Sequence, residues 1–197
     1  MRRFSVRPSI TLRGRKFKGL RGYAGKPFHP PLTDIPIGAY VVAAVLDVIS
    51  TVGGKDHGWS EELWHAATFV FVAGAVVSVF TAITGLFDWL RSTEPGTQAR
   101  RTANVHALIM VSVTLAVLVN IVLRLAGYND HTYTPVGITI LSVLIAGFVG
   151  WGATYGGSLV FDYGFNVERV LDKLFPSRKD QRYWESLGAF HFSIGVL

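Results

Sequence analysis

The chemistry open to this chain is set by six histidines and the absence of cysteine. Without cysteine there is no disulfide, thiolate zinc site, cysteine-ligated iron–sulfur cluster or cysteine nucleophile, so any metal or haem iron needs imidazole or carboxylate ligands. The ionisable residues within apolar stretches form two groups. The first, at the inner end of the expected helices, is His29, Asp88, Arg91 and His106. The second, towards the opposite end, is Asp47, His65, Asn120 and Arg124, with His57 and His131 in the adjoining loops. Ionisable groups are costly in hydrocarbon, so they pair with one another or serve a pathway for protons, ions or electrons.

Three chemistries fit these groups. A b-type haem with two imidazole ligands needs histidines from different segments at one depth. The candidate pairs are His29 with His106 inside, beside Asp88, and His65 with His131 outside, beside Asp47. A quinone or proton site would use the same residues, since carboxylate and imidazole titrate at a membrane interface. The third reading is a hydrogen-bonded network without a cofactor. In it His29 or His106 bonds Asp88 as a clamp, Asp88 and Arg91 form a surface pair, and His65 belongs to an interfacial belt. The pattern names no particular metal. It contains no Walker loop, HExxH or nucleophile elbow, and the glycines at 147, 150, 152, 156 and 157 lack the strand–turn–helix setting of a dinucleotide site. No catalytic residue is expected.

The elements that must position these residues are apolar blocks. Half of the 197 residues are hydrophobic and only 16% are charged, against about a quarter in soluble domains. The blocks predict transmembrane helices near 35–52, 64–89, 104–125 and 135–155. Asp34 sits where the first helix would be capped, Pro36 falls in its expected first turn, and Gly53-Gly54 ends it. On the third helix His106, Met110, Val113, Val117 and Asn120 share one face, expected to be the bundle interior. Small residues recur every fourth position at Gly74, Ser78 and Ala82 and at Ser142, Ala146 and Gly150, which predicts close helix contacts on both helices. Trp59, Trp64, Trp89 and Trp151 are expected in interfacial belts.

Short loops make successive helices antiparallel. Residues 1–27 carry nine Lys/Arg and no acid, the second loop three and the tail five, against Lys55 and Arg124 on the other side. The positive-inside rule then places both termini in the cytoplasm. The fold expected is an all-α integral membrane four-helix bundle. Its parts are a basic arm (1–30), a transmembrane domain (31–157) and a cytoplasmic tail (158–197). No apolar core follows Arg2-Arg3, so the arm reads as a binder of anionic lipid headgroups rather than a secretory signal or nucleic-acid binder. Val167, Val170, Leu171 and Leu174 predict a short amphipathic tail helix ended by Pro176. The aromatic stretch after it is expected to dock on another subunit.

The stretch GKPFHPPLTDIPIGAYVVAAVLD (25–47) resembles the opening of a bacterial and archaeal family of four-helix membrane proteins labelled a domain of unknown function. GLFDW (85–89), NVHALI (104–109) and YGGSLVFDYG (155–164) continue the resemblance, which covers residues 25 to about 167. It points to His29, Asp47, Asp88 and His106, and the fusion of some members to a Rieske domain implies a redox setting. The expectation is an accessory, non-catalytic subunit of a respiratory or photosynthetic complex in a bacterial or archaeal cytoplasmic membrane. Its alternative is a haem b or quinone-linked electron-transfer protein.

Overall fold

The computed structural model describes Leu20 and residues 27–165. The expectations for residues 1–19 and for the tail beyond 165 fall outside the described residues. Four helices make up the rest: α1 (His29–Gly53), α2 (Trp59–Ser92), α3 (Gln98–Ala126) and α4 (Val136–Phe161), with a 3₁₀ turn at Gly54–Asp56. All four are long and apolar enough to cross a membrane. The 34 residues of α2 give a length of about 51 Å, well beyond a hydrocarbon core of about 30 Å.

Each helix is longer than its apolar block predicts, and the reason is clearest for α1. It starts at His29 rather than Ile35, because Pro30 and Pro31 fit a first helical turn whose N–H groups have no partner in any case. Asp34 is therefore inside the helix and caps nothing. Pro36 is also interior, and its missing N–H leaves the Leu32 carbonyl unpaired within α1. Thr81 on α2 partly repairs this: its hydroxyl is shared between the Val77 carbonyl at 3.1 Å and the Leu32 oxygen at 3.3 Å. The start of α3 follows ordinary rules, with Thr97 in extended geometry accepting from the Arg100 N–H at 3.2 Å.

The helices form a ring. α1 packs against α2 and α4, α3 packs against α4, and α2 meets α3 less extensively. α1 and α3 therefore run parallel on one diagonal, and α2 and α4 on the other. Tyr40, Phe71, Val113, Val117, Ile145 and Val149 form the centre of the apolar core. Tyr40 packs against Phe71 with the rings tilted by 48° and their centroids 5.0 Å apart, and shares a 2.7 Å hydrogen bond with Ser78. Gly74 lets α1 approach, since a Cβ there would lie 2.7 Å from that of Ala39. The seam expected on α4 is different. Gly150 is exposed, with nothing near its Cβ position, and the close contacts fall at Gly152 and Gly156.

The two hairpins are repeats of one another. Pro36, Tyr40, Ala43 and Asp47 are buried on α1, and the residues 77 positions later, Val113, Val117, Asn120 and Arg124, are buried on α3. His29 and His106 stand in the same relation. On α2 and α4 the offset is 71: Ala67, Thr68, Phe71, Gly74, Thr81 and Asp88 match Ile138, Thr139, Ser142, Ile145, Gly152 and Leu159, all buried. The bundle thus has an approximate two-fold relation between α1–α2 and α3–α4, carried by burial pattern and by a few identical residues such as His29/His106 and Thr68/Thr139.

Candidate functional site

At the end of the bundle where α1 begins, each hairpin builds the same half-site. His29 opens α1, and its Nδ1 lies 3.0 Å from the Thr81 carbonyl oxygen and 3.2 Å from the Thr84 hydroxyl on α2. His106 lies in the third turn of α3, with Nδ1 2.9 Å from the Gly152 carbonyl oxygen on α4. A carbonyl oxygen can only accept, so Nδ1 is the protonated nitrogen in both neutral rings and Nε2 keeps its lone pair. No hydrogen bond to either Nε2 is present among the described residues.

Each ring also rests on a glycine four residues after its carbonyl partner. A Cβ at Gly85 would lie 2.7 Å from Cε1 of His29, and one at Gly156 would lie 3.3 Å from Cε1 of His106. Thr81/Gly85 and Gly152/Gly156 are equivalent positions in the repeat. The two imidazoles come from diagonal helices at the same end of the bundle. Both rings are half-buried. Carbonyl-anchored imidazoles with free Nε2 atoms are what axial metal ligation requires, because the second hydrogen bond fixes ring orientation and tautomer.

Asp88 belongs to the same end but not to either imidazole. It is buried one turn beyond Gly85, and its Oδ1 has no partner among the described residues. The Leu20 backbone approaches it, and the Leu20 carbonyl in turn accepts the Phe28 N–H at 3.2 Å. The expected histidine–carboxylate clamp is thus replaced by two histidine–carbonyl bonds. Arg91 is exposed while Asp88 faces inward, so the surface pair between them does not form.

The outer group separates into two parts. Asp47, Asn120 and Arg124 converge in the bundle centre, all fully buried. Arg124 is ion-paired to Asp47 on α1. It also donates to Asn120 on α3 at 2.6 Å, Thr68 on α2 at 3.2 Å and Ser142 on α4 at 2.9 Å. Its guanidinium faces Phe71 and Trp64, with ring centroids 4.9 and 5.1 Å away. The other Asp47 oxygen accepts from the Thr134 hydroxyl at 3.1 Å. Every strong polar group here is satisfied, which is how a buried ion pair is tolerated.

Of the remaining outer residues, His65 and His131 sit around the α3–α4 connection and His57 in the α1–α2 connection. His65 stacks on Tyr128 at 4.4 Å and its Nε2 donates to the Tyr128 carbonyl at 3.1 Å, so that nitrogen is committed. His131 meets Trp64 edge-on at 5.9 Å and packs against Gly127. His57 bonds the Gly53 carbonyl at 3.0 Å. Trp64 is fully buried beside Arg124 rather than in an interfacial belt, whereas Trp59 and Trp151 are exposed. The sequence reading missed Thr81, Thr84, Gly85, Gly152, Gly156, Thr68 and Ser142 as site-forming residues. The paired four-residue spacing of Thr81/Gly85 and Gly152/Gly156 was the available signal.

The chain belongs to a family described as a predicted membrane protein (DUF2231), whose model matches residues 25–169 and so takes in both half-sites and the ion pair. No curated protein and no solved structure matches it.

Proposed function

We propose that this multi-pass membrane protein carries electrons through one b-type haem held by His29 and His106. The observation that supports this reading is the pair of carbonyl-anchored imidazoles, presented by diagonal helices with both Nε2 lone pairs free. Pro36 on α1 and Val113 on α3 follow the two histidines by seven residues and are buried and apolar, and a haem iron held by the imidazoles would supply one-electron chemistry. On this reading the chain is a non-catalytic, redox-carrying subunit of a larger energy-transducing complex, respiratory or photosynthetic. Other membrane subunits and anionic lipid headgroups are its partners. The distribution of Lys and Arg supports cytoplasmic termini in a bacterial or archaeal inner membrane.

Purification of the full chain from haem-replete membranes should give a Soret band and a low-spin reduced spectrum, both lost in His29→Ala and in His106→Ala. A purified, folded chain with no Soret band overturns the proposal. Cysteines introduced at Lys55 and Asp130 should label from outside, and one at Gly96 from inside; the reverse pattern overturns the orientation.

A further inference from the structure

We infer that Asp47 and Arg124 are positioning residues for the His29–His106 pair, setting the register of α1 against α3. The inference rests on the haem reading for its functional meaning and on geometry for its content. Asp47 lies 18 residues after His29, and Arg124 lies 18 residues after His106. At 3.6 residues per turn that spacing is about five whole turns, so on each helix the charged residue and the histidine share one face, about 27 Å apart. α1 and α3 are diagonal and do not pack along their length. Among the described residues, the Asp47–Arg124 contact is their one hydrogen-bonded link.

The Arg124 fork has no slack. Its nitrogens reach Asp47 on α1, Thr68 on α2, Asn120 on α3 and Ser142 on α4, so one guanidinium references all four helices. A helix is stiff, and a slip of one residue translates a side chain by about 1.5 Å and turns it by about 100°. At the inner end such a slip would swing one imidazole away from the other. Stability alone does not call for an ion pair here, because well-packed apolar residues of similar volume often serve a buried site as well or better. What the charged pair adds is a single register.

The test uses the full-length holoprotein and the variant Asp47→Leu/Arg124→Met, which removes both charges together. The fold should persist, with thermal unfolding at or above that of the parent chain. The haem should lose its single low-spin electron paramagnetic resonance signal and gain several low-spin species and a high-spin component. A second readout needs no haem. With His29→Cys and His106→Cys in this cysteine-free chain, a short bismaleimide should cross-link the parent background in high yield and the Asp47→Leu/Arg124→Met background poorly. If the apolar variant does not accumulate, Arg124→Lys decides by the same two readouts, since it keeps the charge and loses the fork; it should be intermediate in both. An unchanged signal together with an unchanged cross-link yield overturns the inference. Absence of a Soret band in the parent chain overturns the haem reading alone, leaving the cross-linking to judge the register.

Discussion

The α1–α2 and α3–α4 hairpins build the same half-site from a shared histidine and glycine but a different carbonyl-bearing residue. In the first, a threonine supplies the carbonyl for histidine, and its hydroxyl also covers the carbonyl that Pro36 leaves open. In the second, a glycine supplies the carbonyl and α3 has no proline to repair. The inner ends differ by Asp88 against Leu159, and the outer ends by Asp47 against Arg124. The two-fold relation is therefore one of shape and not of charge. Burial and carbonyl geometry must be alike on both sides for two imidazoles to meet, whereas opposite charges must differ for the halves to hold one another.

The largest expected departure comes from leaving one half's charge alone. Arg124→Met strands the Asp47 carboxylate and should cost about 3–5 kcal/mol, read as loss of thermal stability in detergent. Asp47→Leu strands the guanidinium, and the double variant should be more stable than either single one. Equal, small effects for all three would mean that the halves are not coupled there.

The half-sites themselves can be separated by adding one methyl group to each. Gly85→Ala places a Cβ 2.7 Å from the His29 ring, against 3.3 Å from His106 for Gly156→Ala. Overpacking of the tighter contact should cost about 1–3 kcal/mol. Haem occupancy should fall clearly in Gly85→Ala and little in Gly156→Ala; equal losses would erase the difference between the hairpins.

A third variant addresses the repair at Pro36. Thr81→Val leaves the Leu32 carbonyl unpaired and should cost about 1–3 kcal/mol. Adding Pro36→Ala restores an N–H to α1 and should recover part of that loss, a coupling that a double-mutant cycle measures. The smallest effect belongs to the linker between the halves. Thr97→Ala removes the α3 cap for about 1 kcal/mol and should leave any haem spectrum unchanged. A spectral change there would mean that the linker, and not the repeat, aligns the histidines.

Much of this was legible in the sequence. Four long apolar blocks could be little else than spanning helices, and the α3 face from Val113 to Asn120 is interior as its spacing predicts. His29, His106 and Asp88 do gather at one end. The start of α1 lies six residues before its apolar block because both Pro30 and Pro31 fit a first turn, which hydropathy alone does not reveal. Pro36 was placed in a first turn because its repair lies on another helix, 45 residues further along the chain. Asp47 and Arg124 were both assigned to the outer end. Their pairing follows only once α1 and α3 are known to face each other across the bundle. The repeat keeps His29/His106, Thr68/Thr139 and Gly85/Gly156, but at the central positions Ala43 answers Asn120 and Phe71 answers Ser142, since a two-fold core needs complementary volumes rather than equal ones.

The ion pair also has a meaning for biogenesis. α1 and α2 emerge and insert before α3 has been made, so for a time Asp47 sits in lipid without Arg124. A carboxylate within a spanning helix costs about 3 kcal/mol on insertion scales, enough to keep the first hairpin a provisional insertion that the second completes. Arg124 thus acts as a completion mark, and a chain interrupted in the linker carries a polar flaw that membrane proteases can read. Pulse-labelling of a chain truncated after Thr97 should show rapid turnover, slowed by Asp47→Leu in the same truncation; equal lifetimes would remove Asp47 as the signal.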